Sequence, residues 1–354
     1  MGLGVSIRVD GAPNETVATA ASVEVVERLG QPTSYRLMYN LDISDNDFPL
    51  LNTGDLGPGS EISILVPTND STHCLVKGPV YGQEINFAQG GSGSTLVILG
   101  ADSSIKLDRE DKAVAWADLT DSSAVSAILS QAGLIADVET TQAGHFELKH
   151  TLIQRESDLA FVKRLARRNG NLFWVTTDEF GVDTAHFKRP PLDGEPSCDL
   201  IINLRDPPSN VLSLQVCWDL ERPSKSDAAE LDLNNKEEIS GSTEKSPLTA
   251  LGGTAFDEIV DGPRTIHLAA PVDDQGDLKA RSEAATIEGS FFLRASGTTT
   301  FSSLKTVLRS HTLVNLRGAG SRHSGVWFCS SVRHSIGETE HVMDFDLIRN
   351  GWTN

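Results

Sequence analysis

The sequence predicts a mainly β chain with a small α+β segment inside it. Three observations carry this reading. Short runs of Val, Ile, Leu and Tyr alternate with polar residues, clusters of Gly, Asn, Asp and Pro end those runs, and one central stretch changes from a period of two to a helical period. At 354 residues the chain has room for two or three domains, each with its own core.

The first strand is expected over residues 5–10, where Val5, Ile7 and Val9 share a face before Gly11. Tyr35, Leu37, Tyr39, Leu41 and Ile43 repeat the alternation, as do Ile62, Ile64 and Val66 before Pro67. Two further strands, over 78–81 and 96–99, flank the turn Gly90, Gly91, Ser92, Gly93 and Ser94. Short antiparallel strands at this spacing indicate a barrel or a sandwich. Past Trp116, Val125, Ile128, Leu129 and Ala132 form a helical stripe over 121–133, with Asp121 or Ser122 as N-cap and Gly133 at the left-handed C-terminal position. A second helix is expected over 157–169, capped by Ser157 and ended by Gly170, with Leu159, Val162, Leu165 and Ala166 inward. Residues 221–261 are polar and acidic with little pattern, and read as a long exposed loop or an interdomain linker. Beyond them, 278–285 predicts a short helix and 290–295 a strand. The last hairpin turns at 337–339, with His341, Met343, Phe345 and Leu347 on one face and Asp344 and Asp346 on the other. Domain boundaries follow at 1–116, 117–190 and 191–354, with interleaving of strands between the outer two allowed.

Charge excludes one class of partner. Thirty Lys and Arg stand against 49 Asp and Glu, a net charge of -19, whereas sequence-independent binding to a phosphate backbone needs many cationic contacts. Specific nucleic-acid binding is therefore not expected. No stretch approaches the roughly 20 apolar residues that span a bilayer, and no basic region followed by an apolar one opens the chain, so neither membrane insertion nor a signal peptide is expected. Cys74, Cys198, Cys217 and Cys329 are far apart and read as free thiols. Against the acidic background, residues 146–170 carry six Lys and Arg and three Asp and Glu. Part of that excess complements a helix dipole. The rest marks Arg155, Lys163, Arg164, Arg167 and Arg168 as candidate contacts with an acidic partner surface or another copy of the chain.

No constellation for catalysis stands out. His323, His334 and His341 near Cys329 lack paired metal-ligand spacing, and no metal or cofactor is expected. Ser92 and Ser321 sit in glycine-rich turns without a nucleophile-elbow context, and no phosphate-binding glycine motif occurs. Asp108, Glu110 and Asp111 read as a solvated acidic face. A large β-rich chain without reactive groups points to a structural component rather than an enzyme.

Three blocks then resemble the phage late control protein D family, the tail or baseplate hub proteins of contractile injection machines, and the N-terminal hub part of VgrG spike proteins. The first runs from Val76, Lys77, Gly78, Pro79, Val80 and Tyr81 through the Gly/Ser turn to 96–102 and 106–109. The second is HTLIQRESDLAFVKRLA over 150–166, followed by Gly170, Phe173 and Trp174. The third joins Gly318, Ala319 and Gly320 to Ser324, Gly325, Val326, Trp327 and Phe328, then Ser331, Val332, Arg333 and His334, and ends over 344–350; Trp327 stands where the family commonly has tyrosine. The resemblance implies two similar β-barrel domains with an α+β insertion, and a homotrimer whose six barrels form a pseudo-sixfold ring. It implies a structural role joining a sixfold inner tube to a threefold spike, with the inner tube protein, a separate spike protein and other baseplate components as partners. Assembly would take place in the bacterial cytoplasm, before incorporation into an injection particle or virion tail. Two other readings, a tail-associated cell-wall hydrolase and a carbohydrate-binding module, lack paired carboxylates across a cleft and an aromatic platform respectively.

Overall fold

A computed structural model of the chain describes residues 4–41, 47–52, 54–69, 71–142, 144–147, 151–232, 236–262, 264–268 and 275–353. The N-terminal alternation forms β1 (Ser6–Val9), β2 (Ser22–Arg28), β3 (Ser34–Leu41), β4 (Glu61–Pro67), β5 (Thr72–Asn86) and β6 (Ser94–Ala101). Ile43 lies outside the described residues. The fifteen-residue β5 is the corner of this part. Its first half pairs with β4 and its second with β6, so the sheet folds over and its inward residues, among them Val25, Leu37, Tyr39, Ile62, Ile64, Val76 and Ile98, meet in one core.

Two glycines permit that corner. A Cβ on Gly78 would lie 1.9 Å from the Ala101 carbonyl oxygen, and one on Gly100 would lie 2.0 Å from Tyr35 Cζ. Buried Tyr35 donates its hydroxyl to the Gly78 carbonyl at 3.0 Å, so it has no room to yield. Gly100→Ala is expected to destabilise the chain by about 1–3 kcal/mol through overpacking. A urea midpoint equal to that of the unsubstituted chain would contradict this.

The central segment comprises β7 (Asp111–Trp116), α1 (Asp121–Gln131), β8 (Ile135–Val138), β9 (Leu152–Ser157), α2 (Asp158–Asn169), β10 (Leu172–Thr177) and β11 (Asp183–Lys188). β7 pairs with β9, and β8, β11 and β10 form a three-stranded sheet in that order. Val125, Ile128, Leu129, Phe161, Val162, Leu165 and Phe187 give this segment a core of its own. On α2, Ser157 accepts from the Ala160 N–H and Gly170 takes the left-handed position at φ 69°. On α1 the cap is Thr120, which accepts from the Ser123 N–H, rather than Asp121 or Ser122. Asp121 is turned inward and bonded elsewhere.

The chain then forms β12 (Val211–Trp218), β13 (Lys225–Asp232), β14 (Glu237–Ser240), β15 (Thr265–Leu268), α3 (Gln275–Ser290), β16 (Leu293–Thr300), β17 (Leu313–Arg317), β18 (Gly325–Ile336) and β19 (His341–Arg349). The expected exposed loop at 221–261 is corrected here. β13 pairs with both β14 and β15 and packs on α3, where Ala228 and Leu278 are fully buried. A small apolar residue among acids left no visible stripe. The helix expected over 278–285 extends from 275 to 290, and the strand after it begins at Leu293.

β18 pairs with β2 through Ser331↔Arg28 to Ile336↔Val23, which fuses the first and last parts of the chain into a thirteen-stranded sheet. Its main path contains the run β12-β16-β19-β18-β2-β3-β6-β5.

Candidate functional site

That eight-strand run is a duplication. β2, β3, β4, β5 and β6 have the same connectivity as β12, β16, β17, β18 and β19: in both sets the sheet order is first, second, fifth, fourth strand. In both, the third strand pairs with the first part of the fourth. The fourth strand of each set also carries a one-residue bulge at the same place. Val80 and Gly82 face Gly100 and Leu99, and Cys329 and Ser331 face Leu347 and Asp346. All neighbours along the run are antiparallel, so the two sets point the same way and are joined head to tail.

The internal joint uses the fourth strand of one set and the first strand of the other. The same two edges, β5 beyond Val80 and β12, are left open at the ends of the run: among the described residues neither has a ladder partner on its outer side. Stepping across the ladders from the bulges makes Ile85 the counterpart of His334 and Phe87 that of Ile336. On the other edge, Val216 matches Val25 and Leu214 matches Val23. Where the joint is made, Val23, Val25, His334 and Ile336 are at most 2% exposed. At the open ends Ile85 is 38% and Phe87 59% exposed, and Trp218, the counterpart of Glu27, is 54% exposed. The face of the run away from the core carries Glu24, Glu84, Asp344 and Asp346 against Arg28, Arg36, Arg294 and Arg333, so the acidic surplus of the chain is not there.

The basic residues of α2 fall into different settings. Arg168 is tied inward: its guanidinium donates to both oxygens of fully buried Asp121 at 2.7 and 3.1 Å and lies 3.5 Å from Asp277 of α3. Burial alone would raise the Asp121 pKa. Hydrogen bonds from His145 and Asn169 and the charge of Arg168 more than offset it and hold the carboxyl below the usual carboxylate range. Arg164 pairs with Glu156 at 2.6 Å, and exposed Arg167 approaches Glu288 at 3.8 Å. Arg155 is exposed on β9, and Lys163 is half-buried. The carboxylates facing this helix thus include Asp121, Glu156, Asp277 and Glu288 of the same chain.

Lys163, Arg164, Arg167 and Arg168 also line a cleft of about 1110 Å³ between α2, α3 and the β2–β3 turn. Arg222, Arg281 and Arg294 join them, with Leu172, Phe173, Ile287, Phe291, Phe328 and Ile348 among the apolar lining and Glu288 as the one acidic residue. Sequence reading found the α2 part of this cluster. It missed Arg222, Arg281 and Arg294, which the fold brings in from other elements.

The histidines near the last hairpin differ in their surroundings. His334 and His341 face each other across the last hairpin with Nδ1 and Nε2 3.1 Å apart, and burial pushes both pKa values down, that of His341 to about 4. They share one hydrogen bond as neutral rings, while His323 lies instead against Trp352. Among the described residues no group of three or more His, Cys, Asp or Glu is placed to hold a metal ion. All four cysteines are free, and Cys217 is the exposed one.

This architecture is similar to solved tail proteins. The 43 kDa tail protein of prophage MuSo2 from Shewanella oneidensis aligns with a TM-score of 0.66 at 13% identity, covering 98% of each chain. The tail protein of Neisseria meningitidis MC58 gives 0.65 at 13% identity, over 98% of this chain and 96% of that one. An E. coli component of the type VI secretion system, described as structurally similar to T4 bacteriophage tail proteins, gives 0.60 at 13%, over 97% and 76%. The mainly β fold is therefore that of tail and type VI secretion proteins, and the resemblance read from the three sequence blocks holds at the level of fold. The family model described as the Alg8 N-terminal domain matches residues 2–338, and the chain belongs to that family. No curated protein matches.

Proposed function

We propose that this chain is the structural hub of a phage tail or contractile injection particle, acting as a homotrimer rather than as an enzyme. The observation that carries the reading is the duplicated module whose internal joint reappears, unmade, as the two open edges β5 and β12. A head-to-tail contact between copies would repeat the internal joint, and such contacts close into a ring when the rotation allows. Three copies bring twenty-four strands. At about 4.8 Å per strand a closed sheet of that size has a diameter of roughly 37 Å before strand tilt, wide enough for an open lumen. Six similar modules in three chains would give the ring pseudo-sixfold outer contacts and true threefold symmetry. That combination suits a part lying between a sixfold inner tube and a threefold spike.

In this reading, residues 1–116 and 191–354 supply the two barrel domains, with strands shared at the β18–β2 joint, and 117–190 is the insertion carried outside the ring. The charge-balanced face lines the lumen. The tube protein, a spike protein and other baseplate components are the partners, met during cytoplasmic assembly and retained in the particle. Native mass spectrometry of the full chain, alone and with candidate tube and spike proteins, tests the assignment. Trimers that capture either protein are expected. Monomers at every concentration, with neither protein bound, would overturn it.

A further inference from the structure

The cleft between α2 and α3 gathers seven Lys and Arg in a chain with net charge -19, and none of its lining residues lies on the open edge strands β5 and β12. Among the described residues Lys163, Arg222 and Arg294 enter no ion pair, while Arg167 meets Glu288 only at 3.8 Å. Arg222 reaches the last carbonyls of α3, donating to Glu288 O at 2.7 Å and Gly289 O at 3.2 Å. Burial and the neighbouring Arg294 charge both weaken its hold on its proton, a cost that a bound anion would relieve. Below these cations lie Leu172 and Ile348, each part of an apolar cluster. The volume, about 1110 Å³, lies just above the roughly 300–1,000 Å³ of ordinary ligand pockets and has room for several side chains.

We propose that this cleft docks an acidic peptide segment of a partner protein, its carboxylates held by Lys163, Arg167, Arg222 and Arg294 and a bulky apolar side chain seated against Leu172 and Ile348. Guanidinium groups match carboxylates bidentately, and the apolar floor selects a segment that mixes charge with hydrophobic residues. A peptide fits better than a nucleic acid because the net charge of -19 on the chain opposes the approach of a long polyanion. The site is independent of the open edges, so a monomeric chain would still show it.

The test uses the full chain and a short fluorescein-labelled peptide rich in glutamate with two phenylalanines, followed by fluorescence anisotropy. Binding in the micromolar range is expected, weakening with salt. The double variant Lys163→Glu, Arg294→Glu should lose at least tenfold in affinity with an unchanged circular dichroism spectrum and melting temperature. Should that variant misfold, Lys163→Ala alone should lose about threefold. Absence of binding to the parent chain, equal affinity in a folded variant, equal affinity for a lysine-for-glutamate peptide, or displacement by short oligothymidylate at similar concentration would each overturn the proposal.

Discussion

Phe87→Asp is expected to leave the chain folded and to abolish the proposed trimer. Phe87 is 59% exposed in the single chain and touches Phe48 at 5.2 Å between ring centroids, so the fold depends little on it. Its counterpart in the other module, Ile336, is 2% exposed because β2 covers that edge. Covering Phe87 with β12 of a second copy would contribute about 1.5–3 kcal/mol. An aspartate there removes that term and adds the cost of burying a charge. A loss of at least 2 kcal/mol per contact is roughly thirtyfold, and a ring has three contacts. Sedimentation equilibrium should therefore show monomer where the parent chain shows trimer, with unchanged circular dichroism. A trimer of unchanged affinity would mean that this edge is not the joint.

Arg168→Ala should produce the largest loss of stability. It strips the guanidinium from Asp121, which has no exposed surface, and unties the contact between α1, α2 and α3. Removing one partner of a buried pair typically costs about 3–5 kcal/mol, and the bonds from Asn169 and His145 place the expectation near the lower figure. The pH dependence gives a second reading. Asp121 has a depressed folded-state pKa, so its stabilisation is present above the unfolded value of about 3.9 and is lost as pH falls through the folded value. The difference between parent and variant should accordingly be full at pH 7 and shrink in strong acid. Parallel chemical-denaturation curves separated equally at pH 7 and pH 3 would contradict the assigned role.

Those two residues also mark the limits of what the sequence discloses. Alternation placed β1, β3, β4, β6, a part of β5 and the last hairpin, because a half-covered sheet imposes a period of two; β2, which makes the internal joint, was missed. Ser157 and Gly170 bounded α2, since local hydrogen bonding and a left-handed φ set those ends. Asp121 looked like a cap, yet it serves as a buried anion whose partners lie 24, 47 and 48 residues away. No local pattern reports such a contact. The acidic strands β13 and β14 were missed because their burial rests on Ala228 against Leu278, a pairing that exists only once α3 folds over them.

The duplication was equally hidden. Its equivalent positions hold Ile85 and His334, Tyr35 and Ala295, or Trp218 and Glu27, so pairing geometry is retained where residue identity is not. Of the basic cluster, only the part on one helix was legible. Arg222 and Arg294 enter it from the segment before β13 and from β16.

The most direct measurement is an oxidative cross-link. Transposing the internal register Arg333↔Val26 onto the open edges sets Glu84 of one copy opposite Cys217 of the next. Directly paired antiparallel residues have Cα atoms about 4.5 or 5.5 Å apart, and both distances suit a disulfide. Cys217 is exposed and unpaired in the single chain. Glu84→Cys should therefore form an intermolecular disulfide with Cys217 and yield a covalent trimer on a non-reducing gel, lost in the Cys217→Ser background and much weaker for Asn86→Cys. Covalent dimers joined only through the two introduced cysteines, or no cross-link in a chain that remains folded, would contradict the head-to-tail ring.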